Sequence, residues 1–223
     1  MSGDVSVYVF DLYGTLVDFS SLANAFAAVA LDANAFVRDW RQKQLSYAFA
    51  ATMMDRYVDF DTLTAAAFKY AARLHGIPHD ERTTREAMEA WSHLPAFDDA
   101  VPALRAARER GFQTAVLSNG TPPALASTIE SCGFAPLLDA VISVDAARAF
   151  KPHPSVYRLV LDRFEGAADR IAFVSSNGWV ATGAGELGFR VTWCYRGGVA
   201  ASFELARGVR VLIDEVYKQA FGT

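Results

Sequence analysis

Asp11 is the first residue of the chain whose type and position suggest chemistry. It directly follows Val5–Phe10, a run of β-branched and aromatic residues that predicts a strand buried on both faces. Gly14 permits a tight turn after it, so the carboxylate is expected to be exposed at a strand end, where a nucleophile could act. Aspartate is also common as a turn cap, and this motif taken alone favours neither role.

Polar side chains also follow the other predicted strands. Ser118 and Asn119 follow the second apolar run, Lys151 follows the third, and Ser-Ser-Asn at 175–177 ends the fourth. The carboxyl ends of parallel strands meet at one edge of a sheet, so these groups are expected to converge there. We therefore favour a catalytic role for Asp11, because packing alone does not explain four polar strand ends at one edge.

The alternation of apolar runs and helical stretches predicts the fold. The predicted helices between the strands end at glycines such as Gly111 and Gly133. This order is typical of an α/β protein with a doubly wound, parallel, Rossmann-like sheet. The predicted strands are Val5–Phe10, Thr114–Leu117, Ala140–Val144, Ile171–Ser175 and Val191–Tyr195.

The stretch between Thr15 and about Pro95 contains no strand candidate and is rich in alanine. An insertion directly after the first strand must lie at the carboxyl end of that strand, where ligands bind in open sheets. We therefore predict a helical cap domain over residues 16–95 and a core domain made of residues 1–15 and 96–223. The predicted cap helices are Asn34–Ala51, Leu63–Leu74 and Glu81–Trp91.

Composition narrows the class of protein and its partners. The chain has 223 residues, of which 52% are apolar and 21% charged, enough for a sizeable core. The net charge is −4 and no basic run is present, so no nucleic-acid or anionic-membrane partner is expected.

The cysteines and the longest apolar stretch predict the compartment. Leu22–Leu31 is too short to span a bilayer, and the N-terminus lacks the basic segment of a signal peptide. Cys132 and Cys194 form no metal-binding or redox motif. We therefore predict a reduced, cytoplasmic protein without a membrane segment.

The strand-end motifs resemble those of the haloacid dehalogenase superfamily over nearly the whole chain. Within it, the chain is most similar to the L-2-haloacid dehalogenases. The resemblance implies hydrolytic dehalogenation of short L-2-haloalkanoic acids to 2-hydroxy acids through an aspartyl ester, and a possible homodimer. The strings that carry it are Asp11-Leu-Tyr-Gly-Thr, Trp-Arg-Gln-Lys-Gln-Leu-Ser-Tyr at 40–47, Ser118-Asn119, Lys-Pro-His-Pro-Ser-Val-Tyr at 151–157 and Phe-Val-Ser-Ser-Asn-Gly-Trp at 173–179.

The resemblance also implies a role for each matching residue. Asp11 is expected to attack the halogen-bearing carbon, Lys151 to keep Asp11 ionised, and Arg41 with Asn119 to receive the departing halide. Ser118 and the main-chain N–H groups of Leu12 and Asn119 are expected to hold the substrate carboxylate. The expected orienting residues are Thr15, Tyr157, Ser175 and Asn177, and the expected apolar pocket residues are Leu45, Phe60 and Trp179.

A metal ion is not expected. Phosphatases of the same superfamily carry a second aspartate two residues after the nucleophile, where this chain has Tyr13. Their Mg²⁺ also requires a carboxylate near the fourth strand end, and residues 175–185 contain none. We therefore expect no cofactor, and a metal-dependent phosphatase of the superfamily is the alternative enzyme.

The chain departs from the dehalogenase pattern at Val180, where the family has an aspartate that positions and activates the hydrolytic water. Valine cannot accept a proton, and loss of a general base typically costs on the order of 10² to 10⁴ in rate. Three explanations stay open: another group serves the water, the protein is a slow or trapped variant, or its substrate differs. A defective family member that binds small carboxylates without turnover is the alternative outside the enzymes.

Overall fold

A five-stranded parallel sheet forms the centre of the molecule. The computed structural model describes residues 5–194 and residue 196. The strands run in the order β3-β2-β1-β4-β5, which confirms the predicted α/β fold. They are β1 (Val7–Phe10), β2 (Gln113–Ser118), β3 (Ala140–Ser143), β4 (Ile171–Ser175) and β5 (Arg190–Trp193).

The five predicted strands form with ends that differ by two residues or fewer. β1 lies between β2 and β4, with Val9 paired to Ala115 on one side and to Phe173 on the other. Val9 and Phe10 are fully buried, which is why β1 is an unbroken apolar run. Residue 195, where the fifth predicted strand ends, and residues 197–223 of the predicted core domain lie outside the described residues.

The strand order places the end of β1 where the chain reverses its direction across the sheet. From β1 the chain moves to β2 and β3, and it then returns to place β4 on the other side of β1. Such a reversal opens a crevice at the carboxyl ends of the neighbouring strands. Asp11, the first residue after β1, therefore lies beside the ends of both β2 and β4.

Helices are the other main regular elements of the described core and of the insertion. The described residues include no helix that is long and apolar enough to cross a membrane. Asp32, Asp59 and Asp80 each cap one of the insertion's three longer helices by accepting a hydrogen bond from its first turn. The helices are α1 (Leu22–Phe26), α2 (Ala33–Met53), α3 (Phe60–Leu74), α4 (Glu81–Ser92), α5 (Ala100–Glu109), α6 (Pro122–Ser131), α7 (Pro154–Phe164) and α8 (Gly178–Glu186).

The insertion leaves and rejoins the core at one place. Val17 and Ala96 form an antiparallel bridge. The Asp18 N–H donates to the Pro95 carbonyl oxygen at 2.8 Å, and the Phe97 N–H donates to the Leu16 carbonyl oxygen at 2.9 Å. These bonds tie the outgoing and returning chains together, and they support a division between core and cap near residues 16 and 95.

Polar and aromatic contacts hold the insertion closed over the core. The Tyr57 hydroxyl donates to Asp145, and the Tyr57 ring stacks on Phe150 with centroids 5.1 Å apart. The Thr121 hydroxyl donates to Asp61 at 2.7 Å. Because Asp145, Phe150 and Thr121 all follow sheet strands, the insertion covers the edge of the sheet that carries Asp11.

An aromatic cluster around Trp40 forms the interior of the insertion. Trp40 is fully buried, and its ring centroid lies 5.2 Å from those of both Phe68 and Trp91. Its indole N–H donates to the Thr64 carbonyl oxygen at 2.9 Å. Trp40 therefore joins α2 to α3 and α4 by packing and by a buried hydrogen bond.

We predict that Trp40→Ala lowers the free energy of unfolding by about 3–5 kcal/mol, because it opens a large cavity and removes the donor to Thr64. Chemical denaturation followed by circular dichroism measures the change. Leu31→Ala is the control, since Leu31 is fully exposed and is expected to change stability by about 0.5 kcal/mol or less. Equal destabilisation by both substitutions would contradict the cluster's role.

Candidate active site

Five polar groups surround the carboxylate of Asp11, which is 3% exposed. Its Oδ1 accepts hydrogen bonds from the Leu12 N–H at 2.9 Å and from Lys151 Nζ at 2.5 Å. Its Oδ2 accepts from Asn177 Nδ2 at 2.7 Å and from the Ser175 hydroxyl at 3.0 Å, with the Thr15 hydroxyl at 3.5 Å. These five donors hold the carboxylate in one orientation at the end of β1.

Lys151 supplies the buried cation for this carboxylate. It is 2% exposed, and its Nζ also donates to the Leu117 carbonyl oxygen at 2.9 Å. Its main-chain N–H donates to Asn119 Oδ1 at 3.1 Å. Burial lowers the pKa of Lys151, while the charge of Asp11 and their hydrogen bond raise it. Lys151 is thus fixed to the end of β2 and depends on Asp11 to remain an ammonium ion.

The turn after Asp11 is attached to the end of β4 through Thr15. The Thr15 hydroxyl accepts a hydrogen bond from the Ser176 N–H at 2.8 Å. The Ser176 hydroxyl donates to the Gly14 carbonyl oxygen at 2.5 Å, and Gly14 has a φ of 81°, in the region that favours glycine. Arg196 donates to the Thr15 carbonyl oxygen at 2.6 Å. Thr15 therefore supports the loop that carries Asp11.

Ser118 and Asn119 stand at the end of β2, as predicted, and both are buried. The Ser118 hydroxyl accepts from the Gly120 N–H at 3.2 Å. The Leu12 N–H, which the resemblance assigns to the substrate carboxylate, donates in this structure to Asp11 itself. Leu12, Ser118 and Asn119 lie at the ends of the adjacent strands β1 and β2. The Leu12 N–H can bind a substrate only if it shares its hydrogen bond with Asp11 or gives that bond up.

Arg41 brings a second cation from helix α2 of the cap. It is 8% exposed, and its guanidinium carbon lies 5.5 Å from the ring centroid of Phe19 and 5.9 Å from that of Trp91. Burial lowers the pKa of Arg41 to about 10, against the opposing effects of Asp11 and Tyr13. Arg41 is therefore charged at neutral pH and acts electrostatically on Asp11.

Two fully buried side chains that the sequence did not single out hold Arg41 in place. The Arg41 guanidinium donates to Gln44 Oε1, and Gln44 Nε2 donates to the Thr64 hydroxyl. That hydroxyl donates to the Phe60 carbonyl oxygen at 2.6 Å. Gln44 lies three residues after Arg41, a spacing that places both on one helix face and that could have identified it; no comparable signal marks Thr64.

The predicted apolar pocket residues occupy different surroundings. Phe60 is buried, with its ring centroid 6.4 Å from that of Tyr13. Trp179 is half-buried, packs on Phe49 with centroids 5.2 Å apart, and lines a cleft of about 420 Å³ between cap and core. Leu45 is half-buried on α2, one helical turn after Arg41.

Tyr157 and Val180 face each other behind the site. Both are fully buried, and the Tyr157 hydroxyl donates to the Val180 carbonyl oxygen at 2.9 Å. Tyr157 therefore bonds to the first turn of α8, whereas Asn177, just before that turn, bonds directly to Asp11. The side chain of Val180 contributes no polar atom here.

The hydrogen-bond donors around Asp11 occupy the positions that a metal ion bound to its carboxylate would need. Each carboxylate oxygen already accepts at least two hydrogen bonds, and the ammonium group of Lys151 occupies the position beside Oδ1. In the described part of the chain, no group of three or more His, Cys, Asp or Glu side chains is arranged to hold a metal ion. The arrangement suits a carboxylate that reacts as a nucleophile with an electrophilic carbon.

The chain is similar in sequence to known dehalogenases. A family model described as haloacid dehalogenase-like hydrolase matches residues 5–188. An (S)-2-haloacid dehalogenase of Pseudomonas putida is 38% identical over 191 residues, 85% of each chain. A haloacetate dehalogenase of Moraxella sp. (strain B) is 36% identical over 200 residues, 88% of each chain.

A solved structure extends the similarity to three dimensions. It is the L-2-haloacid dehalogenase of Xanthobacter autotrophicus with chloropropionic acid covalently bound, which has a TM-score of 0.82 and 35% identity over 97% of this chain and 88% of that one. The resemblance stated from the motifs is confirmed, and the chain belongs to the haloacid dehalogenase-like hydrolase family.

Proposed function

We propose that the protein hydrolyses short L-2-haloalkanoic acids, that is (S)-2-haloacids, to 2-hydroxy acids and halide. The observation that carries the proposal is the buried ion pair of Asp11 with Lys151, with Arg41 of the cap acting on the same carboxylate. The relatives named as (S)-2-haloacid dehalogenases and the relative with covalently bound chloropropionic acid support it.

In the first step, a carboxylate oxygen of Asp11 attacks the carbon that bears the halogen. The carbon–halogen bond breaks on the opposite side, the configuration inverts, and an ester forms on Asp11. Arg41 and the Asn119 amide are proposed to receive the halide, because a fixed cation and N–H donors stabilise a departing anion. Ser118 and nearby main-chain N–H groups are proposed to hold the substrate carboxylate.

In the second step, water attacks the carbonyl carbon of the ester. The bond from that carbon to the ester oxygen breaks, which releases the 2-hydroxy acid and restores the Asp11 carboxylate. Ser175, Asn177 and Thr15 surround one oxygen of this group in the resting protein, so they are placed to stabilise the charge that develops during hydrolysis.

The phosphatase alternative is disfavoured by the surroundings of Tyr13. Burial raises the pKa of Tyr13 to about 12, so it is a poor replacement for the carboxylic acid that a superfamily phosphatase has there. The non-enzyme alternative, a carboxylate binder without turnover, is favoured by Val180 alone. A cytoplasmic location and a homodimer belong to the proposal as well and stay predictions.

We predict that Asp11→Asn abolishes halide release from L-2-chloropropionate while the protein remains folded, because an amide is a far poorer nucleophile. Halide assay and circular dichroism measure the two outcomes. Asp98→Asn is the matched control, since Asp98 is exposed; it is expected to keep full activity. Substantial activity of the Asp11 variant would refute the assignment of the nucleophile.

Dehalogenation is expected to survive exhaustive chelation with EDTA, and p-nitrophenyl phosphate is expected to remain intact with added Mg²⁺. The reason is that hydrogen-bond donors already occupy both oxygens of Asp11. Halide and nitrophenol assays on the same preparation test this. The phosphatase alternative gains support if EDTA stops turnover and Mg²⁺ restores it.

Gln44→Leu is expected to slow ester formation by about tenfold to a hundredfold, because small displacements of a positioned group can cost that much. The loss is expected to be larger for chloro- than for bromo-substrates, since chloride is the poorer leaving group and depends more on Arg41. Rapid-quench measurement of halide release tests this, with Gln42→Leu as the exposed control. Equal losses for both halogens would argue against a role through the halide.

A further inference from the structure

The second step of the proposed reaction needs a group that accepts a proton from water. Val180 cannot do so, and its carbonyl oxygen is engaged by Tyr157. The side chains that contact the Asp11 carboxylate are hydroxyls, one amide and one amine, and among these only the amine nitrogen becomes an effective base near neutral pH. They are Thr15, Ser175, Asn177 and Lys151.

Formation of the ester removes the charge that keeps Lys151 protonated. Within the described residues, the charged groups that act on Lys151 are Asp11, at the end of β1, and Arg41, on α2. Asp11 is neutral once it is an ester, so the ammonium is left 2% exposed with only a second cation acting on it. A buried cation without a partner is strongly disfavoured, and the proton of Lys151 is therefore expected to leave.

The hydrogen bonds of Lys151 allow this change without movement. An ammonium group has three N–H bonds. Two N–H bonds of Lys151 Nζ donate to Asp11 Oδ1 at 2.5 Å and to the Leu117 carbonyl oxygen at 2.9 Å. The main-chain N–H of Lys151 donates to Asn119 Oδ1. Loss of the third proton leaves both bonds in place and gives Nζ a lone pair, on a nitrogen that lies 2.5 Å from an oxygen of Asp11.

We propose that Lys151 is the general base for the hydrolytic water in this protein, in place of a carboxylate at position 180. The inference rests on the dehalogenase activity proposed above. Lys151 first releases one proton to solvent after the halide departs. The water oxygen then bonds to the carbonyl carbon of the ester, one water proton passes to Nζ, and the other passes to the departing alkoxide of the 2-hydroxy acid. Asp11 and the ammonium form of Lys151 are thereby restored.

The pH dependence of ester decay tests the proposal on the unaltered protein. L-2-chloropropionate is added in less than one equivalent, the reaction is quenched with acid at successive times, and the adduct on the peptide that contains Asp11 is measured by mass spectrometry. The rate of decay is expected to rise with pH and then to level off, because only the neutral amine accepts a proton. Decay that is independent of pH between 6 and 9 would overturn the proposal.

Substitutions at positions 151 and 180 distinguish the proposed role of Lys151 as a base from its role as a positive charge. Lys151→Arg retains a cation that does not lose its proton, so the ester is expected to form and then to decay on the order of 10²-fold more slowly. Val180→Asp is expected to restore decay in that background, whereas Val180→Leu, the matched apolar control, is not. If Lys151→Arg forms the ester and hydrolyses it at the original rate, the proposal is wrong.

If Lys151→Arg does not form the ester, the comparison is made between the unaltered protein and Val180→Asp: the rise with pH is expected to move to lower pH in the variant, and an unchanged profile would overturn the proposal. Halide release without any adduct on Asp11 would instead overturn the proposed function, since no ester would then exist to be hydrolysed.

Discussion

The ion pair between Asp11 and Lys151 is the interaction on which the site depends. Burying either charge alone is costly, yet both are almost completely buried because they meet at a distance of 2.5 Å. The strand order brings the two side chains together. Asp11 directly follows the central strand β1, and Lys151 donates to the Leu117 carbonyl oxygen near the end of the neighbouring strand β2. The pair holds the proposed nucleophile in a buried position, where its interactions with the surrounding dipoles are stronger than in water.

The cap completes this site by adding a positive charge that the sheet does not supply. Arg41 reaches the site from α2 and is oriented by Gln44 and Thr64, while the contacts between Tyr57 and Asp145 connect the same cap to the core. A guanidinium held this way needs little reorganisation when a halide leaves. The position of the insertion in the sequence and its proposed role in the chemistry are therefore linked, because an insertion directly after β1 begins at the carboxyl end of that strand, where Asp11 lies.

The two chemical steps place opposite demands on the same buried cation. In the proposed reaction, attack by Asp11 requires Lys151 to be charged, whereas hydrolysis of the ester benefits from an amine that can accept a proton. Because the charge of Asp11 disappears in the first step, the electrostatic environment of Lys151 changes at the moment when its role must change. A carboxylate at position 180 would make this second role unnecessary; Val180 makes it important.

The sequence by itself determined the order of strands along the chain and the helical insertion, because burial on both faces requires continuous apolar runs and because residues 16–95 contain no such run and are rich in alanine. It also placed Asp11, Lys151 and the 175–177 motif at one edge, since parallel strand ends must converge there. The tertiary structure alone decided which donor occupies which oxygen of Asp11, that the Leu12 N–H is already engaged, and that Gln44 and Thr64 orient the cap's cation. These are pairings between side chains and main-chain groups whose directions depend on how the cap packs on the core, and no local pattern of residue types encodes that packing.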